Sequence, residues 1–126
     1  MGAAIRGWAA AVPRWMRGLV FWAALTAVVV LSLLPLQHLP EAAFRLWDKA
    51  QHAAGFALLT VLGCWAHPRR VRIVLAGLLL LGAGIEIAQG ATGWRHADAW
   101  DLLANAVGVW AGAWLVFSVR RSWKTG

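Results

Sequence analysis

Residues 73–89 read IVLAGLLLLGAGIEIAQ: thirteen apolar or small residues, then Glu86, then Gln89 three positions on. The run approaches the ~20 residues a helix needs to cross ~30 Å of hydrocarbon. Its polar residues sit at one end only. Counting from Ile73 at ~1.5 Å per residue, Glu86 lies about 20 Å along, in the outer third of a bilayer. A carboxylate at that depth is costly unless it faces protein, a partner charge or a wet cavity. Gly82, one turn earlier on the same face, would let a neighbouring helix approach closely. The structural alternative is an acid snorkelling from a helix end, and Glu is short for that depth.

Three further apolar stretches flank this one, at about Gly18–Pro35, Ala50–Ala66 and Asp101–Val119. The composition agrees with a membrane chain. Of 126 residues, 61% are hydrophobic and 13% charged, against about a quarter charged in soluble domains. The mean hydropathy is +0.64. A lone cysteine, Cys64, excludes a disulfide scaffold. Ten Trp and no Tyr suit a membrane–water interface. The first stretch follows Arg14 and Arg17 as a signal peptide would, but no A-x-A cleavage site follows it, so it reads as a retained helix. The expected fold is an all-α, four-transmembrane-helix bundle forming a single domain over residues 1–126.

The connectors sort the charges. Nine of the twelve basic residues fall in the two tails and the middle loop (Arg6, Arg14, Arg17, Arg69, Arg70, Arg72, Arg120, Arg121, Lys124), and three on the other side (Arg45, Lys49, Arg95). The positive-inside rule then places both termini in the cytoplasm. All five acids, Glu41, Asp48, Glu86, Asp98 and Asp101, fall on or near the opposite side. The net charge of +7 therefore reads as topology and contact with anionic lipid heads; no nucleic-acid partner is expected. Between Leu36 and Trp47 the chain is longer than a turn. Pro40-Glu41 suits a helix start, so this connector is either a short interfacial helix anchored by Phe44 and Trp47 or a loop on the lipid surface.

Besides Glu86-x-x-Gln89, three places break the apolar pattern. Asp48-Lys49-x-x-His52 can share one helix flank; a capping role would explain Asp48 but not His52. Trp94-Arg95-His96 supplies the only basic residue of its loop, placed to reach Glu86 or the acids that follow; an exposed loop arginine is the plain alternative. Asp98-x-x-Asp101-x-x-x-Asn105-x-x-Gly108-x-x-x-Gly112 draws one stripe, polar at one end and small at the other. Asp98 as N-cap and Asp101 in the first turn have a complete structural account, which does not extend to Asn105. The Gly108/Gly112 pair suits close packing, within the bundle or between copies.

Jointly, His52, Glu86, Gln89, Asp101 and Asn105 come from three helices at similar depth, which points to a partly desolvated polar pocket opening outward, with Lys49 and Arg95 at its rim. The candidate catalytic residues are His52, Glu86 and Asp101; the candidate ligand-binding residues are Asp48, Lys49, Gln89, Arg95, Asp98 and Asn105. Glu86, Asp98 and Asp101 with His52 could hold a divalent cation, Lys49 and Arg95 could pin a phosphate or carboxylate, and His52 or Glu86 could move protons. Spacing does not choose among these. No HExxH, Walker A, paired-Cys or G-x-S-x-G motif is present.

In this order, Ser32 with Pro35 at the end of the first helix, Asp48-Lys49-x-x-His52, Glu86-x-x-Gln89, Arg95, Asp98, Asp101, Asn105 and Gly108 resemble the VanZ-like family. These are small bacterial membrane proteins named for a glycopeptide (teicoplanin) resistance factor. The resemblance covers about Ser32 to Gly112. Phe56 stands where the family often has Tyr, and Gly90-Ala91-Thr92-Gly93-Trp94 replaces a stretch that commonly holds an aromatic and a proline. The resemblance implies a multi-pass protein of the bacterial cytoplasmic membrane with a role in the cell envelope and in antibiotic resistance. The leading expectation is a protein that binds or processes an anionic, lipid-linked or cell-wall ligand at the outward pocket. Lys49 and Arg95 would contact the anion, and Gln89 and Asn105 would orient the acid/base groups. Two rivals stand beside it: a proton-coupled small transporter with Glu86 as titrating group, and a structural or assembly protein whose polar layer only locks helices together.

Overall fold

The computed structural model describes Gly7, residues 11–35 and residues 41–125, the last with side chains from Trp47 onward. Its four long helices are α1 (Arg14–Leu33), α2 (Glu41–Ala66), α3 (Val71–Thr92) and α4 (Ala99–Thr125). Each stops for a local reason. Leu34, held extended at ψ 143° by the proline that follows, ends α1. A tight turn, with the Arg70 N–H donating to His67 O at 2.9 Å, joins α2 to α3. Gly93 ends α3 in the left-handed region at φ +82°, where a Cβ would be strained. Asp98 caps α4, its Oδ1 accepting the Trp100 N–H at 2.9 Å.

The helices run alternately up and down, and α2 is central, touching each of the other three. Its closest partner is α4. A Cβ added at Gly108 would overlap the carbonyl oxygen of Ala53, and one at Gly112 would lie 2.6 Å from the carbonyl oxygen of Ala57. Both obstacles are backbone, which no side-chain rotation relieves. The Gly108/Gly112 stripe thus serves packing within the bundle. Gly108→Ala and Gly112→Ala are each expected to cost about 1–3 kcal/mol, the usual range for overpacking. A thermal midpoint in detergent equal to that of the unsubstituted protein, in both variants, would contradict this packing.

The rest of the core is apolar: Phe56 and Leu59 of α2, Leu78 and Ile85 of α3 and Val109 of α4. The outer surface is apolar too. Leu80, Ile87 and Trp114 are 72–75% exposed, among many large hydrophobic residues that face outward on all sides. A surface of that kind is stable only against lipid. Accordingly α1, α3 and α4 are long and apolar enough to cross a membrane. α2 has the length, 26 residues, with Asp48, Lys49, Gln51 and His52 in its first half.

Two expected boundaries move. α2 begins at Glu41 rather than near Ala50, so residues 41–47 are the first turns of the long helix, neither a loop nor a separate interfacial helix. No Gly or Pro lies between Glu41 and Ala54 to interrupt it. Pro40 and the Phe44 side chain lie outside the described residues, and Trp47 is exposed. α4 continues past Val119 to Thr125, so Arg120, Arg121 and Lys124 belong to its last turns, where basic side chains complement the helix dipole. Arg6, of the expected basic tail, lies outside the described residues.

Candidate functional site

The ends of the bundle differ in chemistry. At the basic end, Arg17 Nη1 donates to Trp65 O at 3.2 Å and Arg120 Nη2 to Cys64 O at 3.4 Å. Grooves among the described residues there include one of about 440 Å³ with Phe21, His67 and Leu78, one of about 560 Å³ with Arg17, Trp65 and Trp123, and one of about 640 Å³ with Phe117, Arg121 and Lys124. The first two are lined mainly by hydrophobic side chains and the third by basic ones. The polar residues gather at the opposite end.

There, α3 turns one face inward: Val74, Leu78, Gly82, Ile85, Glu86 and Gln89 are all buried. Glu86 and Gln89 therefore continue the protein-facing stripe and do not point to lipid. α4 does the same with Asp101, Asn105, Gly108 and Gly112. Gly82 gives Asn105 its room, since a Cβ there would lie 3.2 Å from the Asn105 side chain. Asp48 and His52, four residues apart on α2, are buried facing α4 and the α3–α4 loop.

Hydrogen bonds join these groups into three sets, which meet where donor atoms of Asp48, His52 and Asp101 lie within 4.8 Å of one another. Arg95 Nη2 donates to Asp48 Oδ1 inside the bundle. Lys49 Nζ bridges Asp98 Oδ2 at 2.9 Å and Asp101 Oδ1 at 3.0 Å. His52 Nδ1 lies 2.7 Å from Asn105 Oδ1. Because an amide oxygen only accepts, the proton of the neutral imidazole is assigned to Nδ1, and Nε2 keeps a lone pair. Glu86 Oε2 accepts the Asp98 N–H at 3.1 Å, which ties α3 to the start of α4. Among the described residues, four buried atoms of the layer have no hydrogen-bond partner: His52 Nε2, Glu86 Oε1, Gln89 Oε1 and Asn105 Nδ2.

The structure thus places all nine residues singled out in the sequence at this end of the bundle, Gln89 against the end of α1, with three differences in arrangement. Arg95 is buried rather than at a rim, and it pairs with Asp48 on α2 rather than with Glu86. The exposed edge is made by Lys49 and Asp98, whose side chains are 31% and 37% exposed. Asp48 is not an N-cap, because α2 begins seven residues earlier. The site is a nearly closed, charged layer with one wet edge.

One set of partners has no counterpart in the sequence reading. The last carbonyls of a helix have no intrahelical donor. At the end of α1 the Ser32 carbonyl accepts from Gln89 Nε2 at 2.8 Å, the Leu33 carbonyl from Trp94 Nε1 at 3.0 Å, and the Leu34 carbonyl from Arg95 at 3.4 Å. Pro35, which cannot continue the helix, is the sequence signal that such carbonyls need donors from elsewhere. Trp94 thereby fastens the α3–α4 loop to the end of α1. No protein-family model, curated protein or solved structure matches the chain.

Proposed function

We propose that the chain is a VanZ-like integral protein of the bacterial cytoplasmic membrane with four crossings and both termini in the cytoplasm. Its polar layer faces the periplasm or cell exterior and binds or processes an anionic, lipid-linked ligand of the cell envelope. The orientation is supported by the nine basic residues at one end of the sequence topology, which the positive-inside rule assigns to the cytoplasm.

The observation that carries the reading is that His52 Nε2, Glu86 Oε1, Gln89 Oε1 and Asn105 Nδ2, on three helices at the same end of the bundle, are all buried and without a hydrogen-bond partner among the described residues. Leaving one buried polar group unpaired costs about 1–3 kcal/mol. Four in one layer suit a site built for a polar ligand better than a purely mechanical lock. An anionic group would reach Lys49 at the wet edge, displacing Asp98 from its ammonium, beside the positive end of the α4 dipole. Arg95 is a positioning residue, holding Asp48 in place. Glu86, His52 and Asp101 are the groups available for acid/base work behind that edge. A transport path is not supported: among the described residues, those buried below His52 include Phe56, Leu59, Cys64, Val74, Leu78 and Val109, and the buried hydroxyl of Thr60 donates to its own helix.

The test is resistance to a lipoglycopeptide in a susceptible bacterium that expresses the chain. Glu86→Ala and Asp101→Ala should each abolish it with membrane protein level unchanged. Undiminished resistance in both variants would sink the reading.

A further inference from the structure

We infer that Asp48, His52 and Asp101 form a binding site for a divalent transition-metal ion of the Zn2+ type. The inference deepens the proposed function, because it assigns a ligand to the same polar layer and rests on that layer being a binding site.

Donor geometry comes first. One oxygen from each carboxylate and one nitrogen of His52 lie within 4.8 Å of one another, and all three residues are buried. Asp48 Oδ1 and His52 Nε2 are 3.8 Å apart. Around one zinc at ~2.0–2.2 Å from each ligand, donors stand roughly 3–4 Å apart. A closure of an ångström or less at the widest separation brings the three into that range.

The state of His52 is the second, independent observation. Its side chain is 3% exposed, and Nε2 has no hydrogen-bond partner among the described residues. With Nδ1 donating to Asn105 Oδ1, the Nε2 of a neutral ring has a lone pair to offer, 3.8 Å from Asp48 Oδ1. A buried imidazole with one nitrogen fixed by an amide oxygen and the other unpaired is the form in which histidine binds a metal. Each candidate ligand also has its own supporting partner: Asn105 for His52, Arg95 for Asp48 and Lys49 for Asp101. Supports of this kind orient the ligands of metal sites.

Charge and donor type narrow the ion. Among the described residues of the layer, four carboxyl groups (Asp48, Glu86, Asp98, Asp101) stand against two permanent cations, Lys49 and Arg95. A doubly charged ion offsets that excess. One imidazole with two carboxylates suits zinc-like ions better than Mg2+ or Ca2+, which take oxygen alone. Three protein ligands leave a coordination position for water or for an oxygen of the ligand, the arrangement of reactive rather than structural zinc sites.

The experiment uses the full chain, purified in detergent without a histidine tag, stripped with a chelator, and titrated with Zn2+ against a chromophoric competitor. One zinc per chain is expected. His52→Ala and Asp101→Asn should abolish binding, and Asn105→Ala should weaken it roughly 10–100-fold, the usual effect of losing a supporting partner. His67→Ala and His96→Ala, outside the layer, should bind as the unsubstituted chain does. No stoichiometric binding, or binding retained in His52→Ala, overturns the inference. Should the His52 variant lose its fold, the Co2+-loaded native chain decides. X-ray absorption showing one imidazole and oxygen ligands supports the site, and a sulfur ligand or a second imidazole overturns it. Metal binding is read without any envelope ligand. A chain that binds no zinc yet loses resistance on Glu86→Ala therefore overturns the metal alone. Zinc binding with resistance undisturbed by Glu86→Ala and Asp101→Ala overturns the envelope reading and leaves the metal.

Discussion

Asp48→Leu is expected to destabilise the fold by about 3–5 kcal/mol, the cost of breaking a buried ion pair from one side. The substitution removes the Asp48 carboxylate from the guanidinium of Arg95, whose side chain is 5% exposed, between α2 and the α3–α4 loop. The Leu34 carbonyl, at 3.4 Å, is a neutral acceptor and does not replace a carboxylate. The double variant Asp48→Leu/Arg95→Met should regain most of the loss, because two apolar side chains of similar volume need no partner. The measurement is a double-mutant cycle on unfolding in mixed micelles. A double variant no more stable than Asp48→Leu alone would mean that the pair is not what holds this corner together. The same cycle separates the two cations of the layer. Lys49 bridges the exposed carboxylate of Asp98 and the buried one of Asp101, so its removal should cost more than the loss of a surface pair, about 0–1 kcal/mol, and less than the loss of Asp48.

The second large effect is functional. Glu86→Gln changes one atom of a buried side chain and should leave stability close to that of the unsubstituted protein. The amide oxygen of Gln can still accept the Asp98 N–H that Glu86 Oε2 accepts now. The Oε1 position has no hydrogen bond to lose among the described residues. If Glu86 supplies acid/base chemistry, the turnover of the envelope ligand should fall by about 10²-fold or more, and with it the resistance phenotype. If the layer only locks helices, the variant should behave like the parent. Wild-type resistance in a well-folded Glu86→Gln chain would favour the structural alternative over the proposed function. Paired with Glu86→Ala, which also removes the bond to the loop, the two variants separate charge from packing.

Much of this architecture was written in local chemistry. Residues 73–89 specify a membrane helix because each apolar side chain is favourable in lipid whatever its neighbours are. Glu86 and Gln89 specify an inward face for the converse reason: a carboxylate and an amide at that depth need protein or water. The stripe Asp101, Asn105, Gly108, Gly112 follows from helical periodicity alone, and the structure buries every member of it. Helix ends were less legible. Residues 41–49 are polar enough to read as a connector, and they are helical because α2 continues through good helix formers and packs against α4. The helical turns after Val119 were hidden in the same way, by charge.

Partner choice within the layer lay beyond the sequence. Arg95 is three residues from Asp98 and nine from Glu86, yet its carboxylate partner is Asp48, forty-seven residues away, because the α3–α4 loop folds back over the first turns of α2. Lys49, adjacent to Asp48, turns to Asp98 and Asp101 instead. The role of Gly108 and Gly112 was equally undetermined, since a small-residue stripe fits a neighbour in the same chain or in another. It was settled by the carbonyls of Ala53 and Ala57 lying against it.

The sequence by itself determined that the chain is helical, that its surface belongs in lipid, and which nine polar residues need one another's company. Those properties depend on transfer free energies and on helical period, which each segment carries alone. Only the tertiary structure decided that α2 is the central helix, that Arg95 is inside and Lys49 at the edge, and that His52 keeps a bare nitrogen beside two carboxylates. Such pairings depend on ångström-scale distances between segments far apart in the chain, and short-range pattern holds no information about them.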